Sequence, residues 1–219
     1  MHEQIPDSKD RILQAAEDLF SEKGFDGTRV NEIAARAGVN KALIYYYFKS
    51  KEEILQSLMN ALVEDMKQAA IEAITRDEYK MFEEGEAKFT HLDEATIDRY
   101  LEMALRQMID FCLDRKQVFR IVMMESLKKG VWQSLIFRIV DLMDDASITA
   151  VFEGKGIALE VDKQQMVDAF FVRLMPLVSF AVYYDEWQAA HQMTGEALTS
   201  AFIRSFKPIY YRSLRPVLK

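Results

Sequence analysis

The segment from residue 28 to residue 51, TRVNEIAARAGVNKALIYYYFKSK, most constrains what this chain can fold into. Apolar residues recur in its first half at the spacing of one helix face, namely at Val30, Ile33, Ala34 and Ala37. Gly38 follows, where a tight turn between two helices requires a positive φ. The segment therefore predicts two short helices joined by a glycine turn.

Positive charge is concentrated in the same segment. Five cations against the single acid Glu32 give it a net charge of +4, whereas the whole chain carries −7 and the remainder therefore −11. The five cations are Arg29, Arg36, Lys41, Lys49 and Lys51. Because attraction to phosphate is local, the charge of the segment matters more than that of the chain. This distribution indicates a surface that meets a polyanion.

The second short helix has two unlike faces. Asn40 can cap its start. The face expected to pack inward carries Ile44, Tyr47 and Phe48, at i, i+3 and i+4. The opposite face carries Lys41, Ala42, Leu43, Tyr45 and Tyr46. Two tyrosines and a lysine left in solvent indicate a binding surface.

Further helices are expected on either side of this pair. One is predicted over 9–23, capped by Ser8 and ended by Gly24. Its apolar stripe consists of Ile12, Ala15, Ala16, Leu19 and Phe20. Thr28 can cap the next helix. Another begins at Ser50, where Glu53 can reach back to the Ser50 N–H in a capping box.

About a dozen residues of one continuous stretch carry a family resemblance. They are Gly27-Thr28, Ile33-Ala34, Ala37-Gly38-Val39, Tyr45 and the run from Phe48 to Glu53. Over roughly residues 8–55 the chain resembles the N-terminal domain of the tetracycline-repressor (TetR) family. The remainder is similar to that family only in length and helical character.

The resemblance implies an all-α fold of about nine helices. An N-terminal three-helix, helix-turn-helix DNA-binding domain would occupy 1–51, with the helix-turn-helix at about 28–48. A C-terminal helical domain for effector binding and dimerisation would occupy 52–219. The implied function is that of a regulator, expected to be a repressor. It would bind a palindromic operator in double-stranded DNA as a homodimer and be released by a small hydrophobic or aromatic effector.

The resemblance also assigns residues to DNA. Thr28 and Arg29 would touch phosphate at the start of the first short helix, and Lys49 would hold backbone phosphate. The second short helix would present Asn40, Lys41 and Ala42 at its DNA end, with Tyr45 and Tyr46 against phosphate or base edges. Leu43 and Tyr46 depart from the family, which often has a hydroxyl residue and a histidine there, so the operator sequence does not transfer. Leu43 could contact a thymine methyl.

The residues alone are also compatible with a helical protein that does not bind DNA. A glycine-turned helix pair occurs in helical bundles that bind no nucleic acid. Tyr45 and Tyr46 could then pack against a neighbouring helix, and the lysines would be ordinary surface.

The C-terminal region is predicted to be helical near 94–113, 115–128, 131–153, 163–187 and 194–213, with a loop or break within 77–93. Residues 166–184 are apolar almost all round, which predicts burial on all sides and, in a chain of this size, a partner subunit. The expected dimer interface comprises Phe170, Leu174, Val178, Ala201, Phe202 and Phe206. The alternative is that these helices form the centre of a monomer.

An effector pocket is expected between the helices of 94–153 and the apolar helix. Its candidate lining is Met103, Gln107, Phe111, Met123, Met124, Trp132, Phe137 and Phe171. The competing interpretation is that these residues only fill the core. Within the apolar helix Pro176 predicts a kink, and Arg173 predicts an ion pair with Asp168 or Asp185, or else an anionic ligand.

Other function classes find little support. His2, His91 and His191 are scattered without metal-ligand spacing, and no nucleophile elbow, Walker loop or dinucleotide fingerprint occurs, so no enzyme, metal or cofactor is expected. A single cysteine, Cys112, a polar N-terminus and the lack of any long apolar run fit a cytoplasmic protein with no membrane segment. Two alternatives to an effector-controlled regulator remain. One is a DNA-binding regulator controlled by a protein partner, and the other is a helical ligand-binding scaffold without DNA binding.

Overall fold

The computed structural model describes residues 7–75, 93–128, 136–154 and 162–214. Within these ranges every regular element is a helix, which confirms the all-α prediction. The predicted break in 77–93, Gly130 and Gly156 lie outside the described residues.

Eleven helices occupy the described ranges. They are α1 (Ser8–Gly27), α2 (Val30–Ala37), α3 (Lys41–Tyr47), α4 (Lys51–Thr75), α5 (Glu94–Asp114), α6 (Lys116–Ser126), α7 (Phe137–Val140, followed by a 3-10 turn at Asp141–Asp144), α8 (Ala146–Gly154), α9 (Lys163–Val182), α10 (Tyr184–His191) and α11 (Gly195–Leu214). The count exceeds the expected nine because two predicted helices, 131–153 and 163–187, are each divided.

The two divisions have local causes. Asp145 precedes α8, and its carboxylate accepts hydrogen bonds from the N–H groups of Ser147 and Ile148 at 2.9 and 3.4 Å, so a new helix begins there. Hydrogen bonds from the Ser147 side chain and backbone lower the pKa of Asp145 to about 2. Tyr183 has φ −101° and ψ 8°, which ends α9 before α10 begins.

The chain forms two compact units. The first unit comprises Met1–Asp65 and Gln117–Arg138, and the second comprises Met66–Lys116 and Ile139–Lys219. The predicted functional boundary between residues 51 and 52 remains a prediction, since the compact units divide the chain elsewhere.

The core of the first unit is built by α1 to α4 together with α6. All five residues of the predicted α1 stripe are buried, which confirms it. They pack in one cluster with residues from the other helices, namely Ile33, Ala34, Ala37, Ile44, Phe48, Ile54, Leu55, Leu58 and Ile121. This cluster fixes the positions of α2 and α3.

The ends of α1 differ from the prediction. Ser8 is the first helical residue, and Asp7 stands at the N-cap position without a side-chain capping bond. Gly24 has φ 77° and ψ 164°, a break that glycine accommodates, but helical structure resumes and continues to Gly27. The chain thus enters α2 from a kinked turn and not from a simple helix end.

A π-helical segment, Asp168–Leu174, lies inside α9 where the sequence predicts a proline kink. Pro176 has no N–H, and its ring would clash with the carbonyl four residues earlier in a regular α-helix. The wider turn relieves this conflict, and the Met175 N–H accordingly bonds the Phe170 carbonyl five residues back.

The predicted ion pair of Arg173 is wrong for the described structure. Its guanidinium donates to the carbonyls of Ser213 and Gln165, each at 3.4 Å, and Asp185 instead pairs with Lys116. Burial lowers the pKa of Arg173, partly offset by nearby Asp168. A cation near the C-terminal carbonyls of α11 stabilises that helix end.

Gly38→Ala is expected to destabilise the first unit through its backbone alone. Gly38 has φ 65° and ψ 37°, and an added Cβ would stand 3.8 Å from the Arg11 side chain, an ordinary contact. The left-handed conformation costs a non-glycine residue about 1–2 kcal/mol. Urea denaturation should show this loss with an unchanged m-value. Gly154→Ala, at a helical position with open space, is the control and should leave the stability unchanged or raise it by up to about 1 kcal/mol.

Candidate nucleic-acid interface

The turn between α2 and α3 has the predicted geometry. Gly38 is left-handed, and the N–H groups of Gly38 and Val39 donate to the carbonyls of Ala35 and Ala34 at 3.3 and 3.0 Å. These bonds satisfy the last carbonyls of α2 and turn the chain sharply. The predicted helix–glycine turn–helix is therefore confirmed.

The start and inward face of α3 also follow the prediction. The Asn40 side chain accepts a hydrogen bond from the Leu43 N–H at 2.8 Å and caps the helix. Ile44 and Phe48 are buried in the core, and Tyr47 is half-buried. The core therefore fixes which way α3 faces.

Four residues form what we call the outer face of α3: Lys41, Ala42, Tyr45 and Tyr46, all exposed. Tyr46 is 79% exposed and Tyr45 48% exposed, whereas Leu43 is half-buried beside them. Lys41 Nζ lies 5.7 Å from the centroid of the Tyr45 ring, and Tyr46 meets Tyr47 edge-on at 5.1 Å. The face therefore presents a cation, two phenol hydroxyls and two aromatic rings to solvent.

At the start of α2, Arg29 is exposed and holds the N-cap position that the sequence assigns to Thr28. Its N–H donates to the Glu32 carboxylate at 2.8 Å. Glu32 also accepts from Lys23 Nζ at 2.6 Å, and the hydrogen bonds from Lys23 and Arg29 lower the pKa of Glu32. The only acid of the segment is thus engaged with a cation.

Thr28 lies inside the first unit and not at its surface. Its hydroxyl donates toward the carbonyls of Leu19 and Gly24, at 3.1 and 2.9 Å, and the residue is 2% exposed. Its backbone N–H donates to the Phe25 carbonyl at 3.2 Å. The side chain therefore positions Arg29 and is not placed to reach phosphate, which corrects the role that the sequence suggests.

Two of the five cations of the segment are occupied within the unit. Arg36 pairs with Glu22 at 3.3 Å and Asp18 at 3.8 Å. Lys51 Nζ donates to the carbonyls of Phe25 and Thr28 at 2.6 and 2.9 Å. Net charge counted along the sequence therefore overstates the charge available to a ligand.

Lys49 is exposed at the start of α4. Half of the predicted capping box is present there, since Ser50 Oγ accepts a hydrogen bond from the Glu53 N–H at 3.3 Å. The other half differs, because the Glu53 carboxylate accepts from the N–H of Lys49, at 2.6 Å, and not from that of Ser50. Arg29, Lys41 and Lys49 remain as exposed cations, just before α2, on α3 and just before α4 respectively. Cations around exposed tyrosines can contact phosphates while the rings and hydroxyls reach base edges.

Residues 12–58, which include the whole helix-turn-helix, match the family model described as bacterial regulatory proteins, tetR family. This chain belongs to the TetR family. The TetR-family resemblance drawn from the sequence is thereby confirmed. The family consists of DNA-binding transcriptional regulators.

Curated relatives extend the TetR-family match beyond the first unit. The transcriptional repressor NicS of Pseudomonas putida is 30% identical over 129 residues, which are 59% of this chain and 53% of NicS. The chain thus spans about half the length of that relative. The transcriptional regulator RutR of Escherichia coli is 26% identical over 211 residues, which are 95% of this chain and 91% of RutR.

Solved structures agree on the TetR-family fold. The transcriptional regulator FadR from Bacillus subtilis, solved in complex with stearoyl-CoA, superposes with a TM-score of 0.55 over 90% of this chain and 96% of that chain. The sequence identity is 19%, so the likeness concerns the fold.

The predicted pocket residues are distributed over both units. Met103, Gln107 and Phe111 are half-buried on α5 of the second unit, where the Arg115 guanidinium covers the Phe111 ring at 4.1 Å. In the first unit, Met123 and Met124 are half-buried on α6, and Phe137 is 51% exposed. Phe171 is 64% exposed on α9, at the surface of its unit, and Trp132 lies outside the described residues.

The predicted interface residues also separate into two groups. Val178 and Phe206 are 0% and 5% exposed within the second unit, so they are core residues and not interface residues. Phe170, Leu174, Ala201 and Phe202 are half-buried, and Phe202 stacks on Phe180 at 4.2 Å. The large exposed apolar side chains of α9 and α11 are Met166, Val167, Phe171 and Ile209.

The sequence interpretation overlooked Glu125. This carboxylate is 1% exposed at the end of α6 and accepts from the Phe25 N–H at 3.1 Å. A signal for it exists, since Glu125 follows Ile121 and Val122 at i+4 and i+3, a position on the apolar stripe of α6. An acid on such a stripe indicates a buried partner.

Proposed function

We propose that this chain is a homodimeric transcriptional repressor that binds a palindromic operator and is released by a small hydrophobic or aromatic effector. The observation that carries the proposal is the outer face of α3. Two exposed tyrosines and Lys41 stand on a helix whose orientation is fixed by Asn40 and by buried Ile44. Such a helix enters the major groove, and its side chains read base edges.

Arg29 and Lys49 would provide the phosphate contacts on either side of α3. Both are exposed, and the only acid of the segment, Glu32, is bound to Lys23. Contacts to phosphate fix the register of a protein on DNA, whereas base contacts provide specificity. We therefore assign affinity mainly to these two cations and sequence preference mainly to Tyr45 and Tyr46.

The homodimer is supported by α9. Within the described residues, it is the one helix that is long and apolar enough to cross a membrane. Nevertheless, only 17% of the most apolar 18-residue stretch of this helix is buried. A second copy that covers exposed Val167, Phe171 and Ile209 would remove this surface from water. Two-fold symmetry would also place two copies of α3 about 34–36 Å apart, one turn of DNA.

The effector class is proposed from composition and from a relative. FadR of Bacillus subtilis was solved with stearoyl-CoA, a ligand with a long apolar chain. Half-buried Met103, Gln107 and Phe111 on α5 could accept an apolar ligand oriented by one amide.

Release would act through α4. This helix starts at Lys51, beside the phosphate-binding Lys49, and continues to Thr75. An effector that favours a different tilt of α4 would change the spacing of the two α3 helices and so lower operator affinity. Equal effector affinity for the free and the DNA-bound protein would contradict this mechanism.

The proposal is tested by fluorescence anisotropy of the purified protein with DNA from upstream of its own gene and with a scrambled duplex of equal length. We expect tight, salt-dependent binding of one duplex and weak binding of the other. Effector candidates added to the complex should then lower the anisotropy. If neither this DNA nor any sequence selected from a random library is preferred, the DNA-binding proposal fails.

Lys49→Ala should weaken binding to all sequences alike. Loss of one phosphate contact reduces the slope of log K against log salt concentration by about one per half-site. The measurement is a salt titration of operator and scrambled DNA. Lys116→Ala removes an equal charge that is paired with Asp185 in the second unit, and it should leave the slope nearly unchanged. An unchanged slope for Lys49→Ala would show that Lys49 does not touch phosphate.

A further inference from the structure

Glu125 is a buried acid that the proposed DNA contacts do not use. It lies at the C-terminal end of α6, is 1% exposed, and its Oε1 accepts hydrogen bonds from the Phe25 N–H at 3.1 Å and from Lys128 Nζ at 2.7 Å. Removing a carboxylate from water is expensive unless specific bonds compensate for it. The position therefore points to a role beyond filling space.

The partner of Glu125 lies at the kink of α1. Phe25 follows Gly24, whose φ of 77° breaks the helix, and a Cβ on Gly24 would stand 3.7 Å from Glu125 Oε1. Lys128, the second partner, also binds Asp26 at 3.0 Å, just after the kink. The end of α6 thus holds the kink through the buried Glu125–Phe25 hydrogen bond and the exposed Lys128–Asp26 ion pair.

The same turn is held from α4. Lys51 Nζ donates to the carbonyls of Phe25 and Thr28 and lies 4.1 Å above the Phe25 ring. The Thr28 hydroxyl then ties the turn back to Leu19 and Gly24. Residues 24–28 are therefore a junction of α1, α4 and α6, and the next residue is Arg29.

We propose that Glu125 is a positioning residue for DNA recognition, which fixes the direction in which the chain enters the helix-turn-helix. When the Phe25 N–H is bound to Glu125, the 24–28 junction holds Arg29 and α2 in the orientation that suits DNA. A movement of α6 that withdraws the carboxylate releases the junction. Glu125 thereby makes operator affinity sensitive to the position of α6. This inference rests on the proposed DNA binding and adds a second route, besides α4, for its control.

The test measures the ratio of operator affinity to non-specific affinity. The operator is a duplex that the wild-type protein selects from random DNA, and the non-specific probe is its scrambled sequence. Glu125→Met keeps the volume but removes the acceptor for Phe25 N–H. We expect operator affinity to fall about 10–30-fold and the affinity for scrambled DNA to change less than about twofold, since phosphate contacts tolerate misorientation better than base contacts do.

The control separates positioning from stability. Val122→Ala, buried on the same helix, is expected to lower the unfolding temperature while leaving the Glu125 carboxylate in place. Partial unfolding reduces affinity for both DNA probes equally, so the ratio should remain that of the wild type. If Glu125→Met also leaves the ratio unchanged, Glu125 is a structural residue and the inference is wrong.

Two further readouts keep the test decisive. Amide hydrogen exchange of the DNA-free Glu125→Met protein should accelerate in residues 25–48, whereas exchange in α5 and α11 should not change. If Glu125→Met does not fold, Glu125→Asp, which keeps the charge but shortens the side chain by one methylene, should withdraw the acceptor from the Phe25 N–H and lower the affinity ratio about fivefold, and an unchanged ratio would overturn the proposal. If the wild-type protein selects no sequence, it is the proposed function that fails, before Glu125 is tested.

Discussion

Replacement of Lys41 and Tyr45 together by alanine should lower operator affinity by more than about 100-fold, because each groove contact contributes about 1–3 kcal/mol and 1.4 kcal/mol is a factor of ten. Both side chains are exposed on α3, and alanine is a good helix former, so the fold should persist. Affinity for scrambled DNA should fall less, because the proposed phosphate contacts of Arg29 and Lys49 remain in this variant.

The measurement is anisotropy with operator and scrambled duplexes, with circular dichroism to verify folding. The matched control is Lys116→Ala/Trp187→Ala, which removes a lysine paired with Asp185 and a half-exposed aromatic residue in the second unit. This variant should bind the operator as the wild type does. An equal loss in both double variants would show that the outer face of α3 is not the DNA-binding surface.

Phe171→Glu should convert the proposed dimer into monomers and lower operator affinity by more than about 100-fold, since two linked half-sites bind far more tightly than one. Phe171 is 64% exposed in the single subunit, so the charge is tolerated there. At a subunit interface the same carboxylate would be desolvated without a partner, at a cost of several kcal/mol. Sedimentation equilibrium over a range of concentrations measures the change.

Leu127→Glu is the control for this substitution. Leu127 is 86% exposed after α6, so the variant carries the same new charge on another apolar surface and should remain dimeric. A Phe171→Glu protein that stays dimeric but no longer responds to effector would place Phe171 in a pocket, as the sequence pattern suggests. A wild-type protein that is monomeric at all concentrations would refute the dimer.

Local sequence signals were sufficient for the helix-turn-helix. Gly38, Asn40 and Ile44 each act within four residues along the chain: the glycine permits a left-handed turn, the amide caps α3, and the isoleucine marks the buried face. For the same reason the exposure of Lys41, Tyr45 and Tyr46 could be predicted, because helical periodicity places them opposite to the buried side.

Periodicity could not orient α9 and α11. The apolar helix has hydrophobic residues on every side, so the pattern has no preferred direction, and Val178 and Phe171 look equivalent along the sequence. In the structure Val178 is buried in the second unit and Phe171 is at its surface. Only packing distinguishes a core residue from one that is available to a partner.

The sequence by itself determined the all-α class, the glycine turn, the capped α3 and the residues on its outer face, because each depends on neighbours one helical turn away. The tertiary structure decided which charges are free and which residues hold the site. Lys51 and Thr28 are bound to α1 and its kink, and Glu125 reaches Phe25 across 100 residues of chain. Such bonds depend on distances in space, and no local period in the sequence encodes them.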